Sequence, residues 1–349
     1  MLAVQSNPLK MNRRVTIKDV AKSSGVTHTT VSRVIHNDPR ISEPTKQRVL
    51  KAIKALDYQP NLVARGLVNQ RSQVIALITP DLNPHVLPII RGVANGATKW
   101  DYALMLIPMD TWLEEDRSVS FVAQNWLVDG ILLYNLIWHE KVPPKVQKLM
   151  SSNMPLVFIN KFLDKTILHA VGVDNYQGVF LAVEHLAKLG HKRIGLLKGG
   201  MTSVDGVERF RAFRKAMEQL GLPYDERFTG VANFNDDQAY HEMNRILLQR
   251  TLPTAMYCCN DFMAVGAVKA IQEHGLSVPD DIAVAGFDDL EAGRFISTPL
   301  TTVRPPTEYV GFRAFEMLMG ILQKPNQPAI QDPLPSELVI RASTVKPLK

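Results

Sequence analysis

His28, Thr29, Ser32 and Arg33 are spaced to share one face of a short helix, opposite Val31, Val34 and Ile35 at i, i+3 and i+4. An imidazole, two hydroxyls and a guanidinium placed together can exchange hydrogen bonds with base edges and phosphates in a DNA major groove. His28, Thr29 and Arg33 are the candidates for base edges. Thr16, Thr30, Ser32 and Asn37 are the candidates for phosphate, which positions a protein without specifying sequence.

The elements that must hold these residues are also legible. Thr16 and Asp19 form a capping-box pattern for a first helix that carries Ala21 and ends at Gly25. Thr27 caps the second helix. Ser42 caps a third, with Pro44 in its first turn and Val49, Leu50, Ile53 and Leu56 as the expected inner stripe. Three such helices make a helix-turn-helix, in which the second presents its start to the groove. Residues 11–71 hold twelve Arg and Lys against four Asp and Glu, on a chain of net charge +6. A basic head on a slightly acidic remainder is the footprint of phosphate binding.

Pro60 stops the third helix, and Asn61 can cap a piece of two turns that runs to Asn69. So short a helix is marginal alone, and Gly66 weakens it further. From residue 73 apolar strands alternate with helices. The strands are QVIALITPD, YALMLIPMD, DGILLYNL and PLVFINK; a second set includes RIGLLKG, TAMYCCN and IAVAGFD. Helices are expected near 116–126, 177–189, 207–220, to about 249, and over 262–274. The alternation predicts two doubly wound parallel lobes, with ligands at the carboxyl ends of the strands.

The chain lacks the marks of several other classes. Gly199, Gly200 and Gly206 follow a strand but fit neither G-x-G-x-x-G nor the Walker ending. His185 and His191 are six apart and do not share a helical face. No HExxH, G-x-S-x-G or nucleophile–base pair occurs. Cys258 and Cys259 suit a buried strand and are too few for a disulfide framework or zinc site. No enzyme activity, metal or cofactor is expected. An enzyme on a doubly wound fold with a DNA-binding head is the remote alternative. No apolar run is long enough to span a membrane and no secretory signal is visible, so the expected location is the cytoplasm.

VTIKDVAKSSGV, TVSRVI and RISEPTKQRVLKAIKALDYQPNLVARGL, followed in order by DGILL, GVDNYQGVFLAVEHLAKLGHKRIGLLKG, TAMYCCNDFMAVGAVKAI, VPDDIAVAGFDD and PLTTVRPP, resemble the lac repressor family of bacterial transcription regulators. The match covers nearly all of the chain after residue 14, and Met11 resembles the usual start. The resemblance implies a helix-turn-helix head on a periplasmic-binding-protein-like core with three crossings between lobes, near 170–174, 297–304 and 328–335. The expected parts are a disordered leader (1–14), head (15–59), hinge (60–71) and core (72–349). Lobe 1 takes about 72–170 and 300–330; lobe 2 takes about 172–298 and 332–345.

The resemblance also places effector residues at Asn160, Arg209, Phe234, Asn260 and Asp288, with His85 where bulkier aromatics often sit. These suit a polyol, with a face to stack and a rim of hydroxyls. Leu67 aligns with the family's leucine that wedges into the minor groove; Asn61 and Ala64 belong to the same hinge. The expected function is a ligand-responsive repressor of sugar or related carbon-source genes, a homodimer on a near-palindromic operator. The chain carries no heptad tail for a tetramer. The first-strand loop is one residue short of the family pattern, and Lys161, Lys198 and Arg211 add positive charge near the pocket. A co-repressed regulator answering to a nucleobase, sugar acid or sugar phosphate is the alternative; induction by a free sugar is favoured.

Overall fold

The computed structural model describes residues 15–35, 37–58, 71–79, 82, 85–108, 128–135, 144–152, 154–160, 168–201, 203–325 and 327–345. The chain divides into two compact units, Met1–Ser72 and Gln73–Lys349.

In the first unit, α1 (Ile17–Ser24), α2 (His28–Ile35) and α3 (Glu43–Ala55) enclose Val20, Ala21, Val31, Val34, Val49 and Ala52. Asp19 accepts both the Thr16 N–H (2.8 Å) and the Thr16 hydroxyl (2.7 Å), which fixes the entry to α1. Gly25 ends it at φ +66°, in the left-handed region open to glycine. One expectation fails here. Leu50 is 41 % exposed, and Ala52 is buried in its place. Positions 49, 52, 53 and 56 follow the 3.6-residue period, whereas Leu50 lies about 100° round the helix from Val49.

The second unit holds two six-stranded sheets. The first runs β11-β5-β4-β3-β1-β2, all parallel, from β1 (Val74–Thr79), β2 (Ala103–Pro108), β3 (Gly130–Tyr134), β4 (Leu156–Ile159), β5 (His169–Val173) and β11 (Gln331–Leu334). The second runs β12-β10-β9-β8-β6-β7, from β6 (Ile194–Lys198), β7 (Thr229–Val231), β8 (Ala255–Cys258), β9 (Ala283–Phe287), β10 (Thr301–Arg304) and β12 (Glu337–Val339). Only β12 is antiparallel to its neighbour in that sheet. Strands β3, β4, β8 and β9 are buried at every residue, because helices cover both faces of a parallel sheet.

The helices are α4 (Leu87–Lys99), α5 (Pro144–Met150), α6 (Asn175–Lys188), α7 (Val204–Gln219), α8 (Asp236–Leu247), α9 (Asp261–Glu273), α10 (Glu291–Phe295) and α11 (Thr307–Gln323). The chain crosses between lobes after β5, after β10 and between β11 and β12. The second crossing lies at Pro305–Pro306, later than 297–304. Strand β10 belongs to the second sheet, not to the first lobe, because Thr301, Thr302 and Val303 pair with Ala285, Gly286 and Phe287 of β9.

Candidate functional site

On α2 the groups on the outward face stand as the spacing requires. Thr27 caps the helix: its hydroxyl accepts the Thr30 N–H at 3.2 Å and contacts the Thr30 hydroxyl at 3.0 Å. His28, Thr29 and Arg33 are exposed, while Thr30 and Ser32 are half-buried. Thr16 is exposed at the start of α1. Asn37, at φ +54°, accepts a hydrogen bond from Lys46 Nζ at 2.5 Å. Asp38 is tied to Arg40 by two side-chain bonds of 2.9 and 2.8 Å, which hold its carboxyl down at about 2. That leaves Arg33 only a loose contact with Asp38, at 3.9 Å, with about half of its side chain exposed. Asn61, Ala64 and Leu67 lie outside the described residues, as do the leader and the helix expected near 116–126.

In the second unit, the carboxyl ends of the two sheets face each other. Two contacts demonstrate it. His85, past β1, places Nδ1 3.5 Å from Asp288 Oδ2, just past β9. Asn135, just past β3, places Nδ2 3.5 Å from Asp205 Oδ2 on the first turn of α7. Between these ends a polar line runs through the second lobe. Arg209 Nη2 is 3.0 Å from Asp288 Oδ1, Arg209 Nε donates to Asn175 Oδ1 at 2.9 Å, and Asn175 Nδ2 donates to Asp205 Oδ1 at 3.0 Å. Arg209 Nη1 donates to the Cys259 carbonyl at 2.7 Å, and the guanidinium lies 3.7 Å from the centre of the Phe287 ring.

Arg209 is only 2 % exposed. Burial works against its charge, but Asp288 and Asp205 alongside reverse this and raise its pKa. Among the described residues, three of its five N–H groups are committed to protein partners. Asn160 and Asn260 are also part-committed. Asn160 Oδ1 accepts the Val173 N–H at 3.1 Å, and Asn260 Oδ1 caps α9 by accepting the Met263 N–H at 2.9 Å. Among the described residues, neither amide NH2 donates a hydrogen bond. Asn160 and Asn135 end adjacent paired strands and so lie side by side. Asn260 follows the Cys259 carbonyl that Arg209 uses.

Phe234 lies against Gly199, the first residue after β6: a Cβ on Gly199 would meet the ring at 2.2 Å. The glycine at 199 thus admits an aromatic face rather than a phosphate. Asn135, Asn160, Phe234 and Asp288 all have positive φ, from +49° to +103°. Strain of this kind gathers where side chains must be aimed into a site.

The residues that sequence reasoning missed are Asn135, Asn175, Asp205 and Glu208. Their signal was slight: Asn175 follows the Asp174 that caps α6, and Asp205 sits at the start of α7. Cys258 and Cys259 are fully buried, and burial pushes both thiols up, Cys259 to about 11. Among the described residues no group of His, Cys, Asp and Glu could hold a metal ion. No described helix is long and apolar enough to cross a membrane.

A basic helix-turn-helix and a two-lobed sensor with polar groups converging at the strand ends define a class: regulators that bind DNA and a small molecule. Residues 16–61 match the model of "Bacterial regulatory proteins, lacI family", and 183–344 that of the "Periplasmic binding protein-like domain". The HTH-type transcriptional repressor PurR of Pasteurella multocida (strain Pm70) is 35% identical over 330 residues, 94% of this chain and 98% of its own. PurR of Histophilus somni (strain 129Pt) is 36% identical over 333, at 94% and 98%. Among solved structures, the lac repressor dimer bound to operator and the anti-inducer ONPF superposes with a TM-score of 0.84 at 27% identity, covering 95% of this chain and 100% of its own. The CelR–cellobiose complex does so at 0.70, also 27% identical, with the same coverage.

The chain therefore belongs to the lac repressor family of bacterial transcription regulators. It is a ligand-responsive, DNA-binding repressor of a family that forms dimers, and not an enzyme.

Proposed function

We propose that this repressor acts in the cytoplasm, as a homodimer on a near-palindromic operator, and that a small ring compound in the cleft, a sugar, a sugar derivative or a nucleobase, sets its operator affinity. His28, Thr29 and Arg33 read base edges. Thr16, Thr30, Ser32 and Asn37 hold phosphates, and Asn61, Ala64 and Leu67 form the hinge that enters the minor groove. His85, Asn160, Arg209, Phe234, Asn260 and Asp288 hold the effector. The observation that carries the reading is the line His85–Asp288–Arg209, which starts on one lobe and ends deep in the other. A molecule seated there touches both lobes and so senses their separation.

A sugar is the first reading. Phe234 offers a flat face beside a rim of part-used amides and N–H groups, and CelR, a structural neighbour, holds cellobiose. A nucleobase is the second reading, since a flat heteroaromatic ring with N–H and carbonyl edges fits Phe234 and the same rim. We place induction ahead of co-repression for a sugar. The test is a thermal-shift screen of sugars and nucleobases on the full chain. A compound at 100 times its Kd stabilises by about 2.7 kcal/mol. The same compound must then change operator affinity.

A further inference from the structure

Asp288 and Asp289 are consecutive, yet their carboxylates serve different neighbours. Asp288 meets Arg209 and His85 in the cleft. Asp289 meets Arg294 Nη2 at 2.7 Å, Arg304 Nε at 2.5 Å and Arg341 Nη2 at 2.6 Å, and only 2 % of its side chain is exposed. Both residues have positive φ, +103° and +50°, and their turn is tied down at its backbone. The Asp288 N–H donates to the Val303 carbonyl at 2.8 Å, and the Leu290 N–H donates to Asp261 Oδ2 at 2.7 Å. The other Asp261 oxygen accepts the Thr302 hydroxyl of β10. A turn fastened to β10 and to the start of α9 moves as one piece, so Asp288 and Asp289 share any displacement.

Arg304 extends the line to the hinge between the lobes. It is the last residue of β10, and the chain crosses to the first lobe at Pro305–Pro306 directly after it. Its Nη1 donates to Glu337 Oε1 at 2.7 Å, and Glu337 opens β12, where the chain has just returned from the first lobe. One guanidinium thus joins the second-lobe ends of two crossings to the turn that holds Asp288. The first crossing is tied to the third separately: Gln177 on α6 accepts the Ser336 N–H at 2.9 Å and donates to the Ser336 carbonyl at 3.1 Å. Arg294 differs from Arg304. It sits on α10 within the second lobe, and among the described residues its hydrogen bonds all go to Asp289. A planar fork that grips two carboxylates fixes their direction as well as their distance. Rotation of one lobe against the other is absorbed by the crossings, so the hold on their ends sets how much of a movement at Asp288 reaches the first lobe.

We propose that Arg304 is a positioning residue for the effector response: through Asp289 and Glu337 it anchors two of the three crossings to the effector-binding turn, so that occupancy at Asp288 is converted into rotation of the first lobe. The proposal rests on the reading of the cleft as the effector site.

The test takes two measurements on each full-length variant. Calorimetry gives the Kd for a probe, and fluorescence anisotropy gives the ratio of operator Kd with and without saturating probe, on an operator enriched from random duplex. The probes are cellobiose, glucose, ribose, hypoxanthine and guanine, and the tightest binder is carried forward. Arg304→Ala should bind the probe within ~3-fold of wild type, while the coupling falls from ~10-fold or more to ~2-fold or less. Glu337→Ala removes the far end of the bridge, at a side chain 64 % exposed, and should lower the coupling in the same direction. Arg294→Ala takes an arginine from the same Asp289 and should keep the wild-type ratio, which separates anchoring of the crossings from neutralisation of a buried charge. If circular dichroism shows Arg304→Ala unfolded, Glu337→Ala decides. Wild-type coupling in folded Arg304→Ala or Glu337→Ala, or an equal loss in Arg294→Ala, would overturn the role of Arg304 and leave the cleft in place. A wild type that binds none of the probes, or binds one without any coupling, would count against the cleft as the effector site and against Arg304 with it.

Discussion

His85 on the first lobe stands 3.5 Å from Asp288 on the second, and the same Asp288 meets Arg209 on its other oxygen at 3.0 Å. One carboxylate thus joins a contact between lobes to a buried ion pair within one lobe. The inner partners are 2 % and 4 % exposed, whereas His85 keeps 28 % of its side chain in solvent. The inner pair is fixed and the outer contact is replaceable, which is the division a sensor requires.

The fixed pair has an energetic consequence. Arg209→Ala leaves Asp288 buried without its cation and should destabilise the second unit by about 3–5 kcal/mol. Arg209→Lys should not restore it, because one ammonium cannot reach Asn175, Cys259 and Asp288 in the same fork. Urea unfolding followed by circular dichroism measures both. A loss below about 1 kcal/mol for Arg209→Ala would mean that the pair contributes little to the fold.

Gly199→Ala probes the aromatic floor. The added methyl would lie 2.2 Å from the Phe234 ring, so the ring must move. Effector affinity should fall by about 10-fold, or roughly 1.4 kcal/mol, with the head's unfolding unchanged. If calorimetry returns an unaltered Kd, Phe234 does not form the floor.

Much of this was legible in the sequence, and the exceptions have physical causes. Helix α2 was readable because a cap at Thr27 and a 3.6-residue apolar period agree. Strand β7 was not, because three residues, Thr229–Val231, are too few to show a period. The crossing that the resemblance implies near 297–304 falls one segment later, because Thr301, Thr302 and Val303 pair with β9 and the chain leaves the second sheet only after Arg304. Asn160, Asn260 and Asp288 were placed by the family resemblance, and their positions at strand ends agree with where a parallel sheet puts a cleft. Asp205 and Asn175 were missed because they enter from helix starts, where Asp and Asn ordinarily read as caps. The positive φ values at Asn135, Asn160, Phe234 and Asp288 leave no trace in residue type beyond a tolerance shared by Asn and Asp.

Asp289 gives a pH dependence. Burial alone would raise its carboxyl, but hydrogen bonds from Arg341, Arg294 and Arg304 hold it below its usual value. A depressed carboxylate contributes stability above its unfolded pKa and loses it as the pH falls through the folded one. The stability gap between wild type and Asp289→Asn should therefore be full at neutral pH and shrink below about pH 4. Unfolding curves at pH 7, 4 and 3 would reveal it; a gap that stays constant would remove the three arginines from the account.

On the head, Arg33→Ala should cost base discrimination of about 1–3 kcal/mol, since its guanidinium is half exposed and only loosely engaged by Asp38. The comparison is between a selected operator and random duplex at one salt concentration. Equal weakening on both would reduce Arg33 to a phosphate contact.

The central claim is that a molecule in the cleft changes the grip on DNA. The direct measurement is fluorescence anisotropy of an operator, selected from random duplex by enrichment on this protein, titrated with and without the compound that gives the largest thermal shift. Wild type should change its operator Kd by at least ~10-fold, about 1.4 kcal/mol of coupling, and Asp288→Asn should bind the operator with no such change. An operator Kd that is the same with and without saturating compound in the wild-type protein would contradict the account.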